Sequence, residues 1–224
     1  SVLPKEINKI ENTKEKKDIF IKIILPLVLR ENQKIILERK KLFRLIEKIN
    51  NSKKEKIWLS NKFQEYKIKN SDVSELKVRM DIIPVSLAIA QAAKETGWGT
   101  SRFAIEGNAL FGQWTYSGNG LEPLESVEGD HKVMRFNVLQ SSVRAYKKNL
   151  NTHKVYDRFR KERAKLRESR KNIDSLILAQ YLDKYAETGD QYTETLEKII
   201  KQNNLMDFDQ AKLLPTKLVI SNNI

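Results

Sequence analysis

The chain of 224 residues contains no cysteine, two histidines, five prolines and eight glycines. Without cysteine there are no disulfide staples, no thiolate metal sites and no thiol nucleophile, while compartment stays open. His131 and His153 are too few and too isolated for a zinc set, so a metal-free and cofactor-free protein is expected. Long apolar runs are missing as well. The strongest, Ile19 to Leu29, is about eleven residues and is interrupted by Lys22 and Pro26, too short to span a membrane. No basic segment followed by an apolar one and a cleavage site opens the chain, so no export signal is expected in the sequence as given. Negative charge is scarce: 29 acidic against 42 basic residues leave a net charge of +13. That excess predicts attraction to polyanions in general. It comes without an RNP, zinc-finger or basic-zipper signature, so solvated basic helix faces are expected and specific nucleic-acid recognition is not.

What is present suits a soluble, helix-rich protein: 32% charged and 40% hydrophobic residues. Residues 14 to 69 read as two or three helices, apolar at Ile19 to Leu29 and then spaced at Ile35, Ile36, Leu42, Phe43, Ile46 and Ile49 along one stripe. Pro26 should kink or break the first of these unless a local bend absorbs it. Between Arg30 and Lys69 thirteen basic residues face five glutamates. A boundary is placed near residue 70, giving an N-terminal helical extension, 1–70, and a second unit, 71–224. The extension is expected to pack on that unit, because Ile19 to Leu29 would otherwise expose a large apolar patch. Ser71 is a plausible N-cap for a short helix before Pro84.

The segment from Pro84 to Gly112 holds the clearest chemistry. Pro84 suits a first helical turn, the alanine-rich run that follows has no breaker before Gly97, and the helix should end near Thr96. Ala88, Ala92 and Glu95 fall on one stripe, which places a carboxylate on an otherwise apolar face at a helix C-terminus. Partial burial and the negative end of the helix dipole both favour the protonated form. A carboxylic acid that keeps its proton near neutral pH is what acid-catalysed cleavage of a glycosidic bond requires. The bland alternative is a solvated glutamate at a frayed helix end.

After Gly112 the helical period stops. Gly118-Asn119-Gly120 and Gly129-Asp130 mark turns, and Lys132 to Phe136 alternates as a strand, so a small β-hairpin lobe is predicted. It carries Glu122, Glu125, Glu128 and Asp130, either a solvated turn or the far wall of a cleft. Trp114 and Tyr116 at its root can stack on sugars or pack in a core. Helices are predicted again over 138–150, 155–170, 174–187 and 190–203. Tyr185 lies near the end of the third, where an ordinary packed tyrosine is the default reading.

The runs AQAAKETGWGTSRFA and NALFGQW resemble the glucosaminidases of glycoside hydrolase family 73, in which an alanine-rich helix ends in Glu followed by Ser or Thr, Gly and Trp. The likeness is greatest to the Bax-type bacterial members. It continues through RFNVLQSSVRAYKKNLNTHKVYDRFR and YAETGDQY, and the segment KKDIFIKIILPLVLRENQKIILERKKL resembles their N-terminal extension. The resemblance implies an α+β, mostly α, lysozyme-like fold and hydrolysis of peptidoglycan at N-acetylglucosaminyl bonds, in the bacterial periplasm or cell envelope. By position Glu95 matches the general acid, and Tyr185 matches a tyrosine that lines the cleft. Counting back from Gly129 selects Glu125 as second carboxylate, with Glu122 and Glu128 as alternatives. Asn108, Phe111, Gln113 and Trp114 fall in the substrate-binding stretch, with Ala109 inserted where the family reads N-L-F-G. The implied partners are peptidoglycan glycan strands and anionic envelope polymers. A lytic transglycosylase and a non-catalytic glycan- or polyanion-binding module are the competing functions.

Overall fold

The computed structural model describes residues 2–115, 120–121, 132–169 and 172–214. A 34-residue helix, α1 (Thr13–Ile46), opens the fold after a short 3-10 turn, capped by Asn12, whose side chain accepts from the backbone N–H groups of Lys14 and Glu15. Pro26 lies inside α1 without ending it. The carbonyl deprived of its N–H partner belongs to exposed Lys22, where water can replace the bond, while buried Ile24, Leu27 and Val28 hold both sides of the helix on the core. Helix α2 (Lys53–Glu65) starts with a capping box between Ser52 and Glu55. Helix α3 (Val73–Arg79) is capped by Asp72, one residue beyond the expected Ser71, which instead takes a positive φ of 51°.

Helix α4 (Val85–Thr96) is the axis of the molecule: every residue from Val85 to Ala93 is buried. Pro84 is its N-cap and has no side-chain donor or acceptor to offer. Asp209, from the distant C-terminal segment, supplies the cap, accepting from the Ser86 N–H at 2.8 Å and the Ser86 hydroxyl at 2.7 Å. Helix α1, the last helix α9 (Asp190–Gln202) and a 3-10 turn at Leu205–Phe208 pack around α4. Leu3, Ile7, Phe20, Ile24 and Val28 of the N-terminal segment share one buried cluster with Leu87, Ile89, Leu196 and Ile200.

Two further helices, α5 (Arg102–Gly107) and α6 (Leu139–Thr152), flank a small sheet with strand order β1-β3-β2. Strand β1 (Trp114–Thr115) and strand β2 (Gly120–Leu121) both pair antiparallel with β3 (Lys132–Met134). The expected strand is therefore shorter than the alternation in the sequence, and it is the middle of the lobe. Helix α7 (Asp157–Glu168) follows. The predicted helix 174–187 breaks up: α8 (Ser175–Ala179) passes into a 3-10 turn, Gln180–Leu182, and the chain then turns through Gly189 at φ 53°. Tyr185 consequently sits in a turn. Among the described residues no helix is long and apolar enough to cross a membrane.

A polar joint ties the N-terminal helices to this core. Buried Asp81 accepts two hydrogen bonds from Arg167, at 3.0 and 2.8 Å, while buried Arg163 donates to the Ile82 carbonyl at 3.0 Å and to Asn151 Oδ1 at 2.8 Å. Lys147 of α6, also buried, donates to the Val28 carbonyl at 3.1 Å and to Asn32 Oδ1.

Candidate active site

The site is built where α4 ends. Gly97 adopts the left-handed conformation, φ 57° and ψ 46°, that closes a helix, and its N–H returns to the Ala93 carbonyl. Thr96 tightens the turn, donating to the Ala92 carbonyl at 2.6 Å and accepting from the Gly99 N–H at 2.8 Å. Gly99 is pressed against Phe20 and Ile7, and Trp98 meets Phe20 edge-on, with ring centroids 5.8 Å apart. These contacts fix the last turn, and with it Glu95.

Glu95 is half-buried. Burial pushes its carboxyl pKa above the ordinary value, against the opposing pull of a hydrogen bond from Tyr192 and the charge of Lys94. Its two oxygens have different surroundings. Oε1 accepts the hydroxyl proton of Tyr192 at 2.9 Å, whereas Oε2 lies over Gly112, where an added Cβ would stand 2.6 Å away. Behind Tyr192 the network continues: Gln91 Nε2 donates to Tyr192 Oη at 3.0 Å, and Tyr146 donates to Gln91 Oε1 at 2.7 Å. Gln91 and Tyr146 are fully buried and Tyr192 nearly so.

The segment facing Glu95 is held from three sides. Asn108 caps α5 in the left-handed region, φ 50°, and its side-chain amide donates to the Phe136 carbonyl at 2.9 Å. Ala109 is buried and returns its N–H to the Phe103 carbonyl at 3.1 Å, extending that cap. Leu110 N–H donates to Ser142 Oγ at 3.0 Å, and the Phe111 ring stacks on Tyr146 at 3.9 Å between centroids. Tyr185 donates its hydroxyl proton to the Phe111 carbonyl at 2.9 Å and stacks on Tyr192 at 5.5 Å. Gly112 follows with φ 57°.

The expected site residues thus separate. Glu95 and Tyr185 converge on the Phe111–Gly112 turn. The side chains of Phe111, 1% exposed, and Asn108, 6% exposed, are packed inward, behind the Phe111–Gly112 turn. Gln113 borders the turn, and its buried Oε1 lacks a hydrogen-bond partner among the described residues. Trp114 contributes the backbone of β1. Glu122, Glu125 and Glu128, like Tyr116 and Asp130, lie outside the described residues. Sequence reasoning overlooked Gln91, Tyr146 and Tyr192. Gln91 was available, since it sits on the stripe of Ala88, Ala92 and Glu95 as the one polar member in the helix interior; the tyrosines lie 55 and 101 residues away and leave no local signal.

No solved structure matches the chain. It is 32% identical over 209 residues to protein Bax of Escherichia coli, an alignment that covers 91% of this chain and 75% of that protein. The family described as mannosyl-glycoprotein endo-beta-N-acetylglucosaminidase matches residues 70–205, from just before α3 to the turn after α9. On both comparisons, and with a half-buried glutamate closing its central helix, the chain belongs to the glucosaminidase family.

Proposed function

We propose that the protein is an endo-β-N-acetylglucosaminidase that cleaves peptidoglycan glycan strands in the bacterial envelope, with Glu95 as general acid. The observation that supports this reading is the two-sided environment of the Glu95 carboxyl: one oxygen is anchored on Tyr192, the other lies at the bare backbone of Gly112. Burial favours the protonated acid, and the anchored oxygen fixes the group's orientation, which are the two demands of protonating a leaving glycosidic oxygen. Tyr185 lines the wall, its hydroxyl proton engaged by Phe111 and its oxygen free to accept. In this reading Glu125 of the β-lobe activates water or stabilises the oxocarbenium-like centre, with Glu122 and Glu128 as the other positions for that role.

Release of reducing ends from purified peptidoglycan tests the assignment. Glu95→Gln should remain folded and bind glycan yet lose at least about a thousandfold in turnover, because an amide supplies no acidic proton. Near-normal turnover would remove Glu95 from the mechanism. Parallel alanine variants of Glu122, Glu125 and Glu128 locate the second carboxylate. Products ending in an anhydro sugar, with no new reducing end, would identify a lytic transglycosylase instead.

A further inference from the structure

The chain of polar groups behind Glu95 has a direction. With Glu95 ionised the carboxylate can only accept, so the Tyr192 hydroxyl donates to Oε1. Tyr192 Oη then accepts from an N–H of Gln91, which fixes the amide with its nitrogen toward Tyr192 and its oxygen toward Tyr146. Tyr146 therefore donates to Gln91 Oε1. Each arrow is set by the one before it, and the two Gln91 bonds cannot reverse without turning the amide: its nitrogen cannot accept, and its oxygen cannot donate. The ring stack of Tyr192 on Tyr185 and that of Tyr146 on Phe111 hold both phenols in place. All three side chains are buried, so no bulk water is at hand to substitute for a missing member.

We propose that Tyr192 is a positioning residue which, backed by Gln91 and Tyr146, keeps Glu95 Oε1 as a permanent acceptor and thereby confines the acidic proton to Oε2. A proton on Oε1 would take away the acceptor of the Tyr192 hydroxyl, which would then either turn its own proton into the packed core without a partner or turn it on Gln91 with a flip of that buried amide. Among the described residues no donor competes at Oε2, and it is the oxygen that faces the bare backbone of Gly112. The protein thus selects which of two chemically equivalent oxygens is the donor. During turnover the proton leaves from Oε2 to the glycosidic oxygen; the new carboxylate charge is met at Oε1 by a hydrogen bond already aligned, with no reorganisation at the moment of reaction. This inference rests on Glu95 being the acid, and it adds a specific atom to that role.

Among the described residues the titratable groups acting on Glu95 are Lys94 on its own helix, Tyr146 of α6, Tyr156 of the preceding 3-10 turn to α7, Tyr185 of the turn before α9, and Tyr192 of α9. Of these, Tyr192 and Lys94 favour the ionised carboxylate, Tyr192 the more strongly. Tyr192→Phe leaves the ring and its stack in place and removes the one hydroxyl. It should lower kcat about tenfold or more with KM within about twofold, and move the alkaline limb of the kcat profile, which reports loss of the acid proton, to higher pH by roughly half a unit or more. The carboxyl stretch of Glu95, isolated by infrared difference against Glu95→Gln, should persist to correspondingly higher pH, a readout that needs no turnover. Tyr146→Phe, which touches nothing of Glu95, should shift both in the same direction by less. Unmoved limb and unmoved infrared titration in a folded Tyr192→Phe protein would overturn the proposal, as would a larger effect from Tyr146→Phe. If Glu95→Gln were inactive and Tyr192→Phe silent, the positioning role alone would fail. An active Glu95→Gln would remove the acid itself.

Discussion

Gly112 offers the sharpest structural test of how Glu95 is confined. Replacing it with alanine has two separable consequences. The backbone there has φ 57°, a left-handed conformation that costs a residue with a Cβ about 1–2 kcal/mol. The new methyl would also stand 2.6 Å from Glu95 Oε2, where ordinary carbon–oxygen contacts begin at about 3.3 Å. The carboxyl must therefore retreat by roughly 0.7 Å, either stretching its bond to Tyr192 or leaving its rotamer, at about 0.5–1.5 kcal/mol. The expected destabilisation is about 2–3 kcal/mol, read as a shift in the urea midpoint followed by circular dichroism. The expected loss of turnover is about a hundredfold, the size of effect that follows from misplacing a catalytic group by about an ångström. Gly97→Ala is the control. Its backbone has the same φ of 57°, but its Cβ would meet only the movable hydroxyl of Thr100, at 3.0 Å. It should lose a comparable amount of backbone stability while keeping most of its activity. A Gly112→Ala protein with activity within a fewfold of wild type, or a Gly97→Ala protein that is equally impaired, would refute the claim that Gly112 is glycine to make room for the acid.

Two further outcomes concern pH. Burial raises the folded pKa of Glu95, so its contribution to stability is complete below the unfolded value of about 4.3 and is lost as pH rises through the folded one. The advantage in melting temperature of Glu95→Gln over wild type should accordingly widen between about pH 4 and pH 8, and a constant difference would show that the carboxyl titrates alike folded and unfolded. Asp81 has the opposite sign: burial would push it up, but the hydrogen bonds of Arg167 and the charges of Arg163 and Arg39 prevail and hold it below the usual carboxylate range. Its stabilisation is present above about pH 3.9 and fades as pH falls through the lower folded value. Asp81→Asn should cost about 3–5 kcal/mol at neutral pH, because buried Arg163 loses the negative charge beside it and Arg167, at the surface, loses its anionic partner. A urea-derived cost below about 1 kcal/mol would show that the backbone carbonyls alone satisfy the buried Arg163 guanidinium.

The parts of the fold that were legible in the sequence are those specified within a few residues. An alanine-rich run between Pro84 and Gly97 has few choices but a helix ending near Thr96, and α4 ends there. Placement of a cap failed by one residue at Ser71, because Asp72 competes for the same orphan N–H groups and its carboxylate reaches both Ser74 and Glu75. The helix predicted over 174–187 was overridden by tertiary demands: Tyr185 must face the Phe111 carbonyl and Tyr192 must face Glu95, and the chain reaches both only by turning through Gly189. Asn108 and Phe111 were expected at the substrate because they fall in the stretch that resembles the family's N-L-F-G segment. The register of that turn buries them, and no local pattern distinguishes a residue behind a cleft from one within it.

The placement of the polar network supports a functional origin over a structural one. Gln91 lies on α4 among Leu87, Ala88, Ile89, Ala90, Ala92 and Ala93, all at most 1% exposed, so an apolar side chain of similar volume would suit its surroundings at least as well. A satisfied buried hydrogen bond adds only about 1 kcal/mol net, and a row of three imposes a strict requirement, since loss of any member leaves another buried and unpaired. Stability therefore gives little reason to thread Tyr146, Gln91 and Tyr192 through the densest part of the core. The row has one terminus near solvent, and that terminus is the Glu95 carboxyl. Both ends of the helix bearing Gln91 and Glu95 are likewise anchored by distant groups, Asp209 at the first turn and the Gly97–Gly99 turn packed on Phe20 at the last. A carboxyl whose pKa is raised by burial is a local cost to folding, and the surrounding structure is arranged to hold that group still. Such an arrangement is what an acid that must present one oxygen to a bond needs, and it is more than a solvated glutamate at a frayed helix end would require.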